Sequence, residues 1–168
     1  MSNYTPVPNE LGVQPIAQTS TTQNHPLGFK VGGYDSTLGY GEFIYLAGVG
    51  STAVGTLVTY NQLTGATTLA PNTAHLAQPV AVAMAANTAT TSFGWYQVFG
   101  AAVIAKTAVK VNPAVQLYLS GTAGSVMPTQ ASGKQLLGVI SLNAATVLSA
   151  TGTITAQISY PFAQGQIL

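Results

Sequence analysis

The sequence predicts an all-β fold: a small β-barrel or sandwich of about eight short strands, preceded by an extended N-terminal arm. Three observations predict it. From about Glu42 onward the chain breaks into short runs rich in Thr, Val, Tyr and Ile, the residues that strands favour. Turn residues punctuate those runs at close spacing, as in barrels and sandwiches. No long window carries the 3.6-residue apolar period of an amphipathic helix.

Taken in order, residues 1–40 form the arm. Pro6, Pro8, Pro15 and Pro26 interrupt it, and polar runs such as 18–24 separate its apolar residues. No strand or helix period persists there, so the segment is not expected to build a core of its own. Yet seven large apolar residues are spaced along it: Tyr4, Val7, Leu11, Val13, Ile16, Leu27 and Phe29. A pure linker would not need them, and they are the expected docking residues of an arm that orders against neighbouring chains. Residues 41–161 form the β-domain, with strands expected at 42–49, 55–61, 66–69, 79–86, 93–106, 115–120, 134–142 and 154–160. Val80, Val82 and Met84 share one face, and so do Val115, Leu117 and Leu119. In the fifth strand, alternation puts Phe93, Trp95, Gln97 and Phe99 on one face, with Tyr96 and Val98 on the other. Residues 74–86 and 142–150 are Ala-rich enough to admit a helical turn. Residues 162–168 are a C-terminal tail that keeps apolar residues to its end.

Composition narrows the function classes. Charged residues make up 4% of the 168-residue chain, against roughly 25% in an ordinary soluble domain. The surface must therefore be Thr, Ser, Asn, Gln, Gly and Ala. Such a surface is cheap to desolvate, because few charges need compensation when another chain covers it. There is no Arg, and a net charge of +1 offers no footprint for nucleic acid. No membrane partner is expected either. The longest apolar run, Val98 to Ala105, is about eight residues, well short of the roughly 18–20 of a spanning helix. The N-terminus lacks the basic start and apolar run of a signal peptide.

No catalytic, cofactor or metal site is expected. The only acids, Glu10, Asp35 and Glu42, lie in the first 42 residues, a poor platform for a catalytic pair. His25 and His75 have no ligand spacing and no Cys to support them. No Gly-x-Ser-x-Gly elbow, Walker motif or dinucleotide fingerprint occurs. The aromatic cluster around the single Trp reads as core on one face. Alternatively, Trp95, Tyr96 and Phe99, together with Phe162 of the tail, are subunit-interface anchors, the kind of residue enriched at binding hot spots.

The stretch from residue 93 to 161 carries a resemblance. The run 94–100 (GWYQVFG) is followed by 106–120 (KTAVKVNPAVQLYLS), then by 124–128 (GSVMP), 133–140 (GKQLLGVI) and a closing strand 153–160. This pattern resembles the small β-barrel decoration, or cement, proteins of tailed-bacteriophage capsids, over roughly residues 40–160. The resemblance implies a virion structural protein, made in the host cytoplasm and seated as a homotrimer on the outer capsid surface. There it would clamp neighbouring copies of the major capsid protein, with no enzymatic activity and no cofactor. Alternatives are a tail, fibre or other minor virion component, and a carbohydrate-binding β-domain using Trp95, Tyr96, Tyr118 and Tyr160 as a sugar platform.

Overall fold

The computed structural model describes residues 4–7, 12–89 and 92–166, with Pro6 and Val7 as backbone. Among these residues the fold is all-β, as predicted, and no helix forms, so the Ala-rich stretches at 74–86 and 142–150 are strand and loop. The strands are β1 (Thr5–Val7), β2 (Thr19–Ser20), β3 (Lys30–Asp35), β4 (Gly39–Ala47), β5 (Leu57–Tyr60), β6 (Thr67–Leu69), β7 (Val80–Ala83), β8 (Phe93–Ala105), β9 (Gln116–Leu119), β10 (Val126–Met127), β11 (Gln135–Ser141) and β12 (Thr153–Ala163). Eight of them coincide with the expected strands. The additions are β10 and three strands inside the first 40 residues, the stretch read as an extended arm without a persistent strand period.

All strands join one antiparallel sheet in the order β1-β3-β4-β8-β12-β11-β9-β10, with β2, β5, β6 and β7 attached beside this path. The thirteen-residue β8 is its spine. One edge pairs with β4, while the other is shared along its length by β2, β7 and β12. The sheet curls into a half-barrel. Backbone bonds from Leu57 N–H to Gly124 C=O (2.8 Å) and from Gly124 N–H to Ala70 C=O (2.9 Å) draw the far edge toward β5.

Alternation then sorts side chains into three cores. The largest fills the curl, where Leu57, Val82, Ile104, Leu117, Leu136 and Ile158 come from six different strands and are all buried. A second core, with Ile44, Leu46, Tyr96 and Val98, packs one face of β4 and β8 on Val58, Ala81 and Ala83. Both faces of β7 are thus covered, and that is why its sequence reads Val-Ala-Val-Ala without a polar residue. One cation lies inside: Lys106 is buried and its Nζ donates to the carbonyls of Thr107 (3.2 Å), Val109 (2.9 Å) and Ser149 (3.5 Å).

The third core is built with the N-terminal segment. Phe43, Tyr45 and Trp95 form an apolar face on β4 and β8, and Tyr4 and Ile16 seal it. Two glycines make the room. Gly33 of β3 and Gly41 of β4 stand opposite each other in the register. A Cβ at Gly33 would lie 2.9 Å from the Ile16 methyl, and one at Gly41 3.1 Å from the Tyr4 ring. Polar groups lock the segment in place. The Tyr4 hydroxyl donates to Ala101 C=O (2.7 Å), and the buried Gln97 amide donates to the same carbonyl (2.9 Å). Trp95 Nε1–H donates to Gln14 C=O (2.9 Å), while the Gln14 side-chain oxygen accepts from Asn24 (2.9 Å) and from the Tyr45 hydroxyl (3.1 Å).

Five tyrosines give the fold an alkaline limit. Burial pushes the phenols of Tyr4, Tyr45, Tyr60 and Tyr96 above their ordinary range, because a phenolate there would be poorly solvated. Tyr160 is raised chiefly by donating its hydroxyl to the Glu42 carboxylate. A group raised in the folded state keeps its contribution below the unfolded value, about pH 10, and loses it as pH climbs through the folded value. Lys106 has the opposite sign. Burial lowers it, so its cost is relieved as pH rises toward the ordinary lysine value. Five groups against one predict loss of the fold above about pH 10. In an alkaline titration followed residue by residue by NMR, ionisation of Tyr4, Tyr45, Tyr60 and Tyr96 should coincide with loss of the circular dichroism signal, and those four phenols ionising at their ordinary pH with the fold intact would contradict this.

Candidate functional site

Among the described residues, seven of the eleven exposed large apolar side chains lie on the outer side of the sheet, and the other four, Phe29, Val54, Leu63 and Leu148, belong to loops. Tyr34 and Tyr40 face each other across β3 and β4. The Tyr40 ring lies 6.4 Å from Phe99 of β8, and Phe99 lies 5.7 Å from Tyr160 of β12. Phe162, two residues further along β12, pairs with Leu137 of β11, and Ile140 and Leu142 continue along that strand and just beyond it. Apart from the half-buried Phe99, these side chains are 37–56% exposed. Lys30 Nζ sits 5.0 Å from the centre of the Tyr160 ring, whose hydroxyl bonds Glu42. Two of the chain's seven charged residues therefore flank this apolar strip, held through one tyrosine.

Irregularities in the strands create the strip. The β4–β8 register jumps between Glu42, opposite Phe99, and Phe43, opposite Gln97, leaving Val98 as an extra residue. This bulge corrects the expected faces of β8. Trp95 and Gln97 point to the N-terminal segment, whereas Phe99 crosses to the side of Tyr96 and emerges beside Glu42. A second irregularity opposes Gly138 of β11 to the 159–161 stretch of β12, where Tyr160 has a φ of 45°. It turns Tyr160 outward. Sequence reasoning missed Tyr34, Tyr40, Leu137, Ile140 and Leu142. A signal was present in β11, where two consecutive apolar residues, Leu136 and Leu137, break the alternation.

The residues expected to act at interfaces divide. Trp95 and Tyr96 are 1% and 3% exposed. This corrects their assignment as interface anchors, and it also removes two of the four rings from the proposed sugar platform. They are buried because both faces of β8 are covered at that point. Phe99 and Phe162 do reach the outer strip. Among the arm residues, Tyr4 and Ile16 are sealed in the chain's own core, and Val13 and Leu27 pack against it half-buried. That corrects their assignment as docking residues: within this chain they cover the face formed by Phe43, Tyr45 and Trp95. Phe29 is exposed. The Val7 side chain and Leu11 lie outside the described residues, as does Glu10.

The chemistry-bearing groups are dispersed. Asp35 accepts from the N–H groups of Thr37 (2.7 Å) and Leu38 (2.9 Å) and closes the β3–β4 turn. His25 is packed against Phe29, Tyr45 and Trp95, and its Nε2 accepts from Gln14 N–H (3.1 Å). His75 lies in the loop before β7, on another part of the surface. Among the described residues, no three His, Cys, Asp or Glu side chains cluster to hold a metal.

This geometry belongs to a class defined by shape alone, an antiparallel half-barrel with an apolar strip on its charge-poor outer face. No family model, curated protein or solved structure matches the chain.

Proposed function

We propose that the chain is a non-enzymatic structural subunit that works docked in a larger protein shell. The specific reading is a decoration or cement subunit that binds the outer capsid surface, bridges neighbouring copies of the major capsid protein and associates with copies of itself. The observation that carries the proposal is the contiguous apolar strip on the sheet's outer face, in a chain with only 4% charged residues. Contiguous exposed apolar surface marks a site of association. Burying this one desolvates few charges, so complementarity of shape converts efficiently into affinity.

The test is to place charge on the strip without disturbing the fold. Leu137→Lys with Ile140→Lys changes two exposed side chains, so thermal stability should shift by only about 0.5 kcal/mol per site. Co-sedimentation with capsids stripped of this subunit should weaken at least about tenfold, as expected when an interface anchor is removed. Unaltered occupancy by a folded double variant would overturn the proposal.

A further inference from the structure

A second feature of the outer surface differs in chemistry from the apolar strip. At one end of the sheet, two neighbouring strands and the residue that follows β12 present a polar row. Gln135 of β11 stands opposite Tyr118 of β9, and on its other side Gln164 N–H donates to Gln135 C=O (2.9 Å). Leu117, Leu119, Leu136 and Ala163 point into the core, so Tyr118, Gln135 and Gln164 point out. The turn at 130–133 and the loop holding His75 rise beside this row and enclose a cleft of about 280 Å³, lined by His75, Tyr118, Gln130, Ser132, Gln135 and Gln164.

One wall of the cleft is the His75 loop, tied to the turn at 130–133 by a backbone hydrogen bond. His75 and Ala77 both have positive φ, 58° and 49°. Side chains disfavour that conformation, and strain of this kind concentrates at binding sites. His75 N–H donates to Gly133 C=O (2.7 Å), and its ring Nδ1 lies 3.2 Å from Gly165 C=O. A carbonyl only accepts, so Nδ1 is the donor in this contact. The His75 ring occupies the space a Cβ would need at Gly133, at 2.5 Å.

We propose that this cleft binds a single neutral sugar ring. Among the described residues, the amides of Gln130, Gln135 and Gln164 and the hydroxyls of Tyr118 and Ser132 take part in no side-chain hydrogen bond within the protein. Carboxamides combine a donor and an acceptor, the pattern that adjacent sugar hydroxyls require, and the phenol offers a flat face for a ring. The lining carries no Lys, Arg, Asp or Glu, and the neighbouring Lys134 directs its Nζ to Asn72 Oδ1, so an anionic ligand has no partner. The volume lies just below the roughly 300 Å³ at which drug-sized pockets begin, matching one ring. An extended peptide is disfavoured because β9 and β11 are paired on both sides and offer no free edge.

The test is a two-dimensional NMR titration of the full chain with glucose, galactose, mannose, N-acetylglucosamine and N-acetylgalactosamine, each to tens of millimolar. At least one should shift the signals of the lining residues saturably. Tyr118→Ala and Gln135→Ala should each weaken that sugar at least about tenfold, equivalent to about 1.4 kcal/mol. Tyr118→Phe, which keeps the ring, serves if the alanine variant is unstable, and it should lose part of the affinity. Gln62→Ala, in a separate groove, should change nothing. If no sugar shifts the cleft, if the cleft variants bind as the parent does, or if only glycylglycine binds there, the proposal is overturned. Shell attachment is measured separately, so either proposal can fail alone.

Discussion

Removal of residues 1–20 is expected to cost the body about 3 kcal/mol or more and to make it prone to aggregation. Tyr4 and Ile16 are buried in the chain's own core, and each buried side chain of this size contributes about 1.5–3 kcal/mol. The entropy of ordering the segment subtracts from the sum, so the lower end applies. The deletion also removes the pairings of β1 with β3 and β2 with β8, and uncovers Phe43, Tyr45 and Trp95. Against a total stability of about 5–15 kcal/mol, such a loss is large. The denaturation midpoint should fall with the slope little changed, and a peptide of residues 1–20 added in trans should restore it. An unchanged midpoint would mean that the segment is free to dock elsewhere, as the arm expected from the sequence would be.

Trp95→Ala is expected to destabilise the chain by about 3–5 kcal/mol, the range for deleting a large buried ring. Trp95 is 1% exposed and meets Tyr45 edge-on, at 5.0 Å between ring centres. Its Nε1–H also satisfies the carbonyl of Gln14, the residue that ties the N-terminal segment to Tyr45 and Asn24. Trp95→Phe separates the two contributions. It keeps most of the packing but orphans the Gln14 carbonyl, at a cost of about 1–3 kcal/mol. Equilibrium urea unfolding of both variants measures the difference. Equal losses would show that volume is irrelevant at this site, contrary to its burial.

The eight strands legible in the sequence were those whose own residues announce them. Val115 to Ser120 alternates cleanly because β9 has one face in the core and one outside. Residues 93–106 read as one long strand because aromatic and β-branched residues run through them without a turn. β3 carries no strand signal because Gly32 and Gly33 stand at its centre, where they admit Tyr40 and Ile16 from other parts of the chain. β1 and β2 are too short to carry a period at all. The candidate strip is barely legible in the sequence, where only Phe99, Tyr160 and Phe162 among its residues stand out as candidate contact residues.

What the sequence determined by itself is the fold class and the charge-poor surface, because period-two patterning and composition are properties of short stretches and of totals. Tertiary structure alone decided which hydrophobic residues are spent inside and which remain outside. Trp95 and Phe99 are four residues apart in one strand, yet a single extra residue opposite Glu42 sends one into the core and the other to the surface. That choice depends on register against a partner strand some fifty positions away, and alternation within a strand carries no record of it.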